Sequence, residues 1–280
     1  MLDLETFKLR AKGVFPRKSL ERKLIVLRKY DSFLEMKNLQ PSLESLNVWL
    51  DELVKSGLSS STMRVYAYDV LSYFDLMMLE VDEKKLKLLK KRLPTPSVKA
   101  VDFLTEDEVA KLITLTPSPI RRMIYALCYA YARRLGEVLA LTWKDVDLEN
   151  NKVTFTILKK KREERATYEL ELWIRDMLIK YKEILGKEKL FEITERGVEK
   201  GFKKDCERVG IEANGRRLRV HILRHSRITS LRERGVPLDV VSKFLARHSR
   251  FDTTIVYYRG VTEEEKVSIP KAEEIFRRVK

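Results

Sequence analysis

The sequence predicts a mainly α-helical fold in two domains. A helical domain is expected over residues 1–92, and a mostly helical domain with a small antiparallel β-hairpin sheet over residues 104–280. Apolar residues recur every three or four positions through most of the chain, which indicates helices. Residues 152–157 alternate between polar and apolar instead, as a strand does. Prolines at positions 94 and 96 favour extended backbone, so we place a linker at residues 93–103.

Three helices are expected in the first domain. Apolar residues at helical spacing predict one at residues 19–36 and another at 43–54. The hydroxyl groups of residues 59–62 can cap a third helix, which has its own apolar stripe. The basic run 84–92 then leads into the linker.

The second domain is expected to open with a capping box at Thr105 and Glu108, followed by a helix. Ser118 and Pro119 then start a longer apolar helix that runs to Tyr131. The hairpin comes next, with strands at 152–157 and 167–170 and a charged turn at 159–165 between them. Further helices are predicted at residues 173–185, 194–209 and 221–234, from Pro237 onward, and after Asp252 and Pro270.

The charge of the chain points to a polyanionic partner. It carries 57 Lys and Arg against 42 Asp and Glu, a net charge of +15. Attraction to phosphate supplies most of the non-specific affinity of proteins for DNA, although a high net charge also serves solubility. The basic residues are clustered: residues 84–92 hold six, and residues 215–234 hold seven arginines with Glu233 as the only acid. Because a merely solvated surface usually mixes both signs, the clusters favour nucleic acid.

The sequence composition also indicates the cellular compartment of the protein. The longest apolar run, at residues 123–132, is about half of what spans a bilayer, so we expect no membrane segment. The acidic start of the chain is unlike a signal peptide, and Cys128 and Cys206 have no metal-site spacing. We therefore expect a cytoplasmic protein with reduced thiols. Abundant Lys, Glu and Arg with a single Gln are typical of proteins from hot environments.

All three histidines, His221, His225 and His248, fall within 28 residues in a strongly basic region. His221 and Arg224 are one turn apart on a predicted helix, and free amides at the start of that helix would add a positive field, so we expect a phosphate site here. The spacing of His221 and His225 also fits two zinc ligands, but Arg224 and the lack of a third ligand argue against a metal. A histidine that packs in the core is the common alternative, which we expect for His225.

The segment that begins at His221 resembles the tyrosine recombinase family, which includes Xer recombinases and phage-type integrases. In that family a His-x-x-Arg-His-Ser/Thr motif is followed by Leu-Gly-His, by Thr-Thr, and by a nucleophilic tyrosine nine residues after the last histidine. The matching residues here are His221, Arg224, His225 and Ser226, then Leu245 and His248, then Thr253 and Thr254, and finally Tyr257. Tyr258 competes for the last role, and the spacing from His248 selects Tyr257.

The resemblance extends upstream. Residues 134–147 are similar to the family's first-arginine motif, in which Arg134 precedes Glu137 by three residues. Residues 104–109 match the usual opening of the catalytic domain, and the N-terminal helices are similar to the core-binding domain. Three positions depart from the family pattern without removing a group that carries charge or proton chemistry: Gly136, Ile222 and Arg247.

The family's lysine motif aligns with the charged turn at 159–165. The alignment puts the catalytic lysine at Lys160 and the closing arginine of the motif at Arg165. Lys159 and Lys161 are neighbouring alternatives for the catalytic lysine. The resemblance thus implies six catalytic residues and no cofactor or metal ion: Arg134, Lys160, His221, Arg224, His248 and Tyr257.

The implied chemistry is the breaking of a DNA phosphodiester. Tyr257 would attack phosphorus and form a 3′-phosphotyrosine bond, which keeps the energy of the broken linkage. Arg134 and Arg224 would hold the phosphate through guanidinium groups that stay protonated. Lys160 would protonate the departing 5′ oxygen, while His221 and His248 would exchange a proton with the phenol or bind a phosphate oxygen.

The family implies a site-specific recombinase that exchanges strands through a Holliday junction, with two protomers on each double-stranded site and a tetramer in the synapse. We expect either Xer-like dimer resolution or integration and excision of a mobile element, in a thermophilic archaeon and without a further arm-binding domain. A type IB topoisomerase-like nicking-joining enzyme and a non-catalytic DNA-binding protein of the same fold are the alternatives. The segment after Tyr257 would pack either on a neighbouring protomer or on its own domain.

Overall fold

The structure is a computed structural model that describes residues 1–94, 102–157, 164–186, 188–237, 240, 241 and 245. It divides into two compact units, Met1–Lys99 and Ala100–Lys280. The fold is mainly α-helical with one small antiparallel sheet, which confirms the predicted fold class. No helix within the described residues is both long and apolar enough to cross a membrane. The functional division at residues 1–92, 93–103 and 104–280 stays a prediction.

The described part of the first unit is built of five helices, four of which begin with a side-chain cap. Ser42 and Ser45 form a capping box at the start of the helix Leu43–Lys55, and the Ser59 hydroxyl accepts a hydrogen bond from the Thr62 amide at the start of the helix Ser60–Leu76. The three predicted helices are confirmed, while two further helices, capped by Asp3 and Asp82, were not anticipated. The bounds are α1 Leu4–Ala11, α2 Arg17–Lys37, α3 Leu43–Lys55, α4 Ser60–Leu76 and α5 Glu83–Arg92.

The core of the first unit is rich in aromatic side chains. The rings of Tyr30 and Trp49 lie 5.0 Å apart, and the Tyr30 hydroxyl is 2.7 Å from the Ser45 hydroxyl. A buried carboxylate, Asp69 on α4, accepts hydrogen bonds from the Lys23 ammonium at 2.9 Å and from the Arg22 guanidinium at 2.8 Å. Since buried charges need partners, these contacts tie α2 to α4.

The second unit is built around one buried helix. Helix α7 is Pro119–Ala130, and every residue from Met123 to Ala130 is buried, which explains the apolar run in the sequence. Thr105 and Glu108 form the predicted capping box, and α11 ends before Gly235, whose φ of 81° suits a glycine. The remaining helices are α6 Glu106–Leu115, α8 Leu135–Leu139, α9 Leu172–Lys180, α10 Glu195–Arg208 and α11 His221–Glu233.

The sheet has three antiparallel strands in the order β1-β2-β3: Val146–Asp147, Lys152–Ile157 and Glu164–Glu169. Strand β2 is confirmed residue by residue. The predicted turn at 159–165 and return strand at 167–170 were wrong in their boundaries, because Arg165 belongs to β3 and faces Thr156. Ala166 is buried opposite Phe155, and Arg165 forms an ion pair with Asp145, so packing extends the strand into the charged stretch.

The segment after α11 returns to the body of the unit. Val240, Val241 and Leu245 are buried and pack in one cluster with Leu231 of α11 and Ala132. The helix predicted from Pro237 is described only at these three positions. The helices predicted after Asp252 and Pro270 lie outside the described residues.

Candidate active site

Arg134 stands at the start of α8, directly after the buried helix α7. Glu137, one turn further on, accepts two hydrogen bonds from Arg134. The Arg134 amide donates to one Glu137 carboxylate oxygen at 3.2 Å, and its Nη1 donates to the other at 2.8 Å. The Glu137 side chain is fully buried, whereas 18% of the Arg134 side chain is exposed. The carboxylate therefore holds the guanidinium at the surface of the unit, where a ligand can reach it.

Arg224 approaches the same place from α11. Its side chain is buried, and its Nη1 donates a short hydrogen bond to the carbonyl oxygen of Ala132. Ala132 has a φ of 48°, a left-handed backbone that is unfavourable for a residue with a Cβ atom. The turn between α7 and α8 is thus held in a strained shape that presents a carbonyl to Arg224 and leads to Arg134 two residues later.

The two guanidinium groups are close enough to interact. Burial and, to a smaller extent, the positive charges of Arg134 and Arg133 together lower the pKa of Arg224 to about 9, although the negative charge of Glu137 acts in the opposite direction. Arg224 therefore remains charged at neutral pH. Because like charges repel in a poorly solvated place, a bound anion between them would be strongly favoured.

Arg133 is a third guanidinium group, which the sequence analysis missed. It is fully buried, its Nε donates to the Tyr131 carbonyl at 2.9 Å, and its Nη1 lies 3.7 Å from a Glu137 oxygen. The guanidinium carbon is 5.2 Å from the centre of the Tyr168 ring and 5.8 Å from that of Phe155. The only signal in the sequence was the Arg-Arg pair itself, and spacing alone assigned the role to Arg134.

His221 is the first residue of α11, and it is exposed. Its ring meets the ring of His225 edge to face, with 4.6 Å between the centroids. The prediction of free amides at this helix start was wrong in part. The Ile222 amide donates to the Arg219 carbonyl at 2.8 Å, and the Leu223 amide donates to the Val220 carbonyl at 3.1 Å. A phosphate site here depends on side chains rather than on those two amides.

His225 is half-buried, as expected for a packing histidine. Burial lowers its pKa, the charge of Arg224 acts in the same direction, and a hydrogen bond to the backbone of Asp102 raises the pKa by less. The imidazole is therefore neutral at neutral pH. Within the described chain no three His, Cys, Asp or Glu side chains are grouped to hold a metal ion.

The structure thus describes three of the six predicted site residues: Arg134 and Arg224 lie close enough to interact, and His221 lies one turn before Arg224 on α11. The other three, Lys160, His248 and Tyr257, lie outside the described residues, as do Lys159, Lys161 and Tyr258. The described residues nearest to them in the sequence can be located. The strands that flank the lysine stretch end at Ile157 and begin at Glu164, and the Tyr168 hydroxyl lies 3.4 Å from the carbonyl of Leu245, three residues before His248.

Known proteins are similar to this chain in sequence and in fold. The Phage integrase family matches residues 102–265, more than half of the chain. The tyrosine recombinase XerA of Saccharolobus solfataricus is 28% identical over 263 residues, which cover 86% of this chain and 82% of XerA. XerA of Pyrococcus horikoshii is also 28% identical, covering 83% of this chain and 81% of its own length.

Among solved structures, the Tn1549 transposon integrase in complex with a circular intermediate DNA superposes with a TM-score of 0.71. The match covers 99% of this chain and 98% of that one, at 15% sequence identity, so it shows a shared fold. The sequence match spans the arginine at the start of α8 and the histidine-arginine pair of α11. The chain belongs to the phage integrase family of tyrosine recombinases.

Proposed function

We propose that this chain is a site-specific recombinase that cuts and rejoins double-stranded DNA through a 3′-phosphotyrosine intermediate. The observation that carries the proposal is the convergence of Arg134 and Arg224, from two different helices, beside the exposed His221. Two guanidinium groups that rigid helices hold close together are suited to bind a tetrahedral anion with several oxygens. A scissile phosphodiester is that anion in the proposed reaction.

The proposed step balances without an external reagent. The oxygen of Tyr257 forms a bond to phosphorus, and the bond between phosphorus and the 5′ oxygen breaks. The phenolic proton passes to His221 or His248, and the departing 5′ oxygen takes a proton from Lys160. The two arginines neutralise the charge that develops on the non-bridging oxygens. Rejoining is the reverse step, with a 5′-hydroxyl as the nucleophile.

The proposed partner is a specific recombination site in duplex DNA. The net charge of +15 favours such a polyanion, and the Tn1549 integrase, which has this fold, was solved with DNA. We propose that two protomers bind each site and that four form the synapse, in the cytoplasm. Xer-like dimer resolution and integration or excision of a mobile element are the two roles to test first.

A suicide substrate tests the chemistry. The protein is incubated with a duplex carrying its candidate site and a nick beside the scissile phosphate, so that cleavage releases a short strand and rejoining is blocked. A covalent protein-DNA adduct on a denaturing gel is the expected result. Tyr257→Phe should abolish the adduct, while Tyr258→Phe, the matched control on the adjacent residue, should form it.

The other outcomes would contradict specific parts of the proposal. An adduct lost only in Tyr258→Phe would move the nucleophile by one residue. Binding without any adduct on a verified genomic site would indicate a protein that has lost cleavage. Relaxation of a supercoiled plasmid that lacks the site, by a monomer, would indicate a topoisomerase-like enzyme instead.

A further inference from the structure

His225 lies at the centre of contacts that the proposed chemistry does not use. It follows His221 by one helical turn, and the two rings touch edge to face at 4.6 Å with an angle of 76° between their planes. The same ring makes a hydrogen bond to the backbone of Asp102, in the segment that precedes α6. The ring therefore connects the exposed His221 to a second element of the unit.

The Asp102 segment is itself held firmly in place. The Asp102 carboxylate accepts the Arg217 amide at 2.8 Å. Two residues later, the Leu104 amide donates to the Ser226 hydroxyl at 2.8 Å, and that hydroxyl donates to the Ile222 carbonyl within α11. Because the segment is bound at Asp102 itself and again two residues later, the acceptor for the His225 ring has a fixed position.

This arrangement determines which ring nitrogen of His225 carries the proton. A neutral imidazole has one N–H group, and donating it to the Asp102 backbone leaves the other ring nitrogen as an acceptor. Burial favours this neutral form, so the ring places no positive charge against His221. The charged and titratable groups that act on it are Asp102, Arg224 and, through ring contact, His221.

We propose that His225 is a positioning residue: the Asp102 backbone orients its ring, and its ring fixes the orientation of the His221 imidazole for proton exchange or for contact with the phosphate. This inference rests on the proposed function, because it assigns His221 to the reacting group. His225 itself does not touch the DNA in this proposal. It acts by restricting the rotamers that the exposed His221 can adopt.

A double-mutant cycle tests the proposal by single-turnover cleavage of the suicide substrate. His225→Phe keeps a flat ring but removes the hydrogen bond to Asp102. It should slow cleavage about tenfold when His221 is present and by less than about twofold in the His221→Asn background, since the effect passes through His221. Thr229→Ala, one turn further along α11 and also half-buried, is the matched control and should leave the rate unchanged.

DNA affinity separates positioning from general damage. His225→Phe should bind the duplex within about twofold of the wild type, because Arg134 and Arg224 are untouched. Equal slowing in both His221 backgrounds, or no slowing at all, would overturn the proposal. His225→Gln serves as the second variant should the phenylalanine unfold the helix, and the same cycle applies to it.

Imidazole NMR gives a readout that does not depend on activity. The chain has only three histidines, so their ring nitrogens can be assigned by single substitutions. At neutral pH His225 should show a single neutral tautomer, and His225→Phe should shift the His221 ring signals. Unchanged His221 signals would overturn the proposal.

The two proposals can fail separately. If the wild type forms no adduct on a verified site, the proposed function is wrong. If the enzyme cleaves but the effects of the two substitutions are additive, only the proposed role of His225 is wrong.

Discussion

Replacing Glu137 with glutamine should destabilise the second unit and make its stability respond to anions. The carboxylate accepts two bonds from Arg134, at 2.8 and 3.2 Å, and lies 3.7 Å from Arg133. The side chains of Glu137 and Arg133 are fully buried. Breaking a buried ion pair by removing one partner costs roughly 3–5 kcal/mol.

The lower end of that range applies here. The Arg134 side chain is 18% exposed, so water takes up part of its charge, and glutamine keeps one acceptor oxygen. We expect the free energy of unfolding to fall by about 3 kcal/mol. For a unit of this size that corresponds to a melting temperature lower by about 6–12 °C. Urea titration followed by circular dichroism, with a thermal scan in parallel, measures both quantities.

Sulfate separates the specific effect from ordinary core damage. With the carboxylate gone, Arg133, Arg134 and Arg224 lose a shared negative charge, so sulfate should bind more tightly and restore more stability than in the wild type. The control is Asp205→Asn, another buried carboxylate, which accepts from Arg121 at 2.7 Å. It should be destabilised without this extra response. A loss below about 1 kcal/mol for Glu137→Gln, or equal sulfate effects in both variants, would refute the reasoning.

Three further predictions concern other residues of the two units. Arg134→Lys and Arg224→Lys should each lower the single-turnover cleavage rate about a hundredfold while changing DNA affinity only a few-fold, and equal losses in both quantities would contradict a role in the transition state. Ser226→Ala removes the acceptor of the buried Leu104 amide and should lower the free energy of unfolding, measured by urea titration, by about 1–3 kcal/mol. An unchanged free energy of unfolding would contradict this prediction. Burial raises the pKa of Tyr30 to about 12, so the folded state favours its protonated form; its contribution to stability is complete below pH 10 and is lost as the pH rises towards 12. Tyr30→Phe should flatten that decline, measured as unfolding free energy against pH, and an unchanged slope would count against the assignment.

The elements that could be predicted from the sequence are those with enough length to show a period. Helix α2 has 21 residues and strand β2 six, and both were located within two residues. Helix α8 has five residues, about one and a half turns, and strand β1 has two, a single alternation, so neither is long enough to repeat its pattern. Strand β3 began earlier than predicted, because Ala166 packs against the core although charged residues surround it.

The properties of the candidate site could also be predicted only in part from the sequence. Motif spacing identified Arg134 and Arg224 as guanidinium groups with a function, but it gave no indication that Arg224 would be buried while Arg134 would be partly exposed. It selected Arg134 over the adjacent Arg133, but it assigned no role to Arg133 and could not show that the Arg133 side chain is buried. Both arginines follow the strained turn at Ala132, after which the Arg133 side chain is buried against the rings of Tyr168 and Phe155 and the Arg134 side chain reaches the surface. The residue type determines which charge is available, and the three-dimensional packing determines which of two equal charges can meet a phosphate.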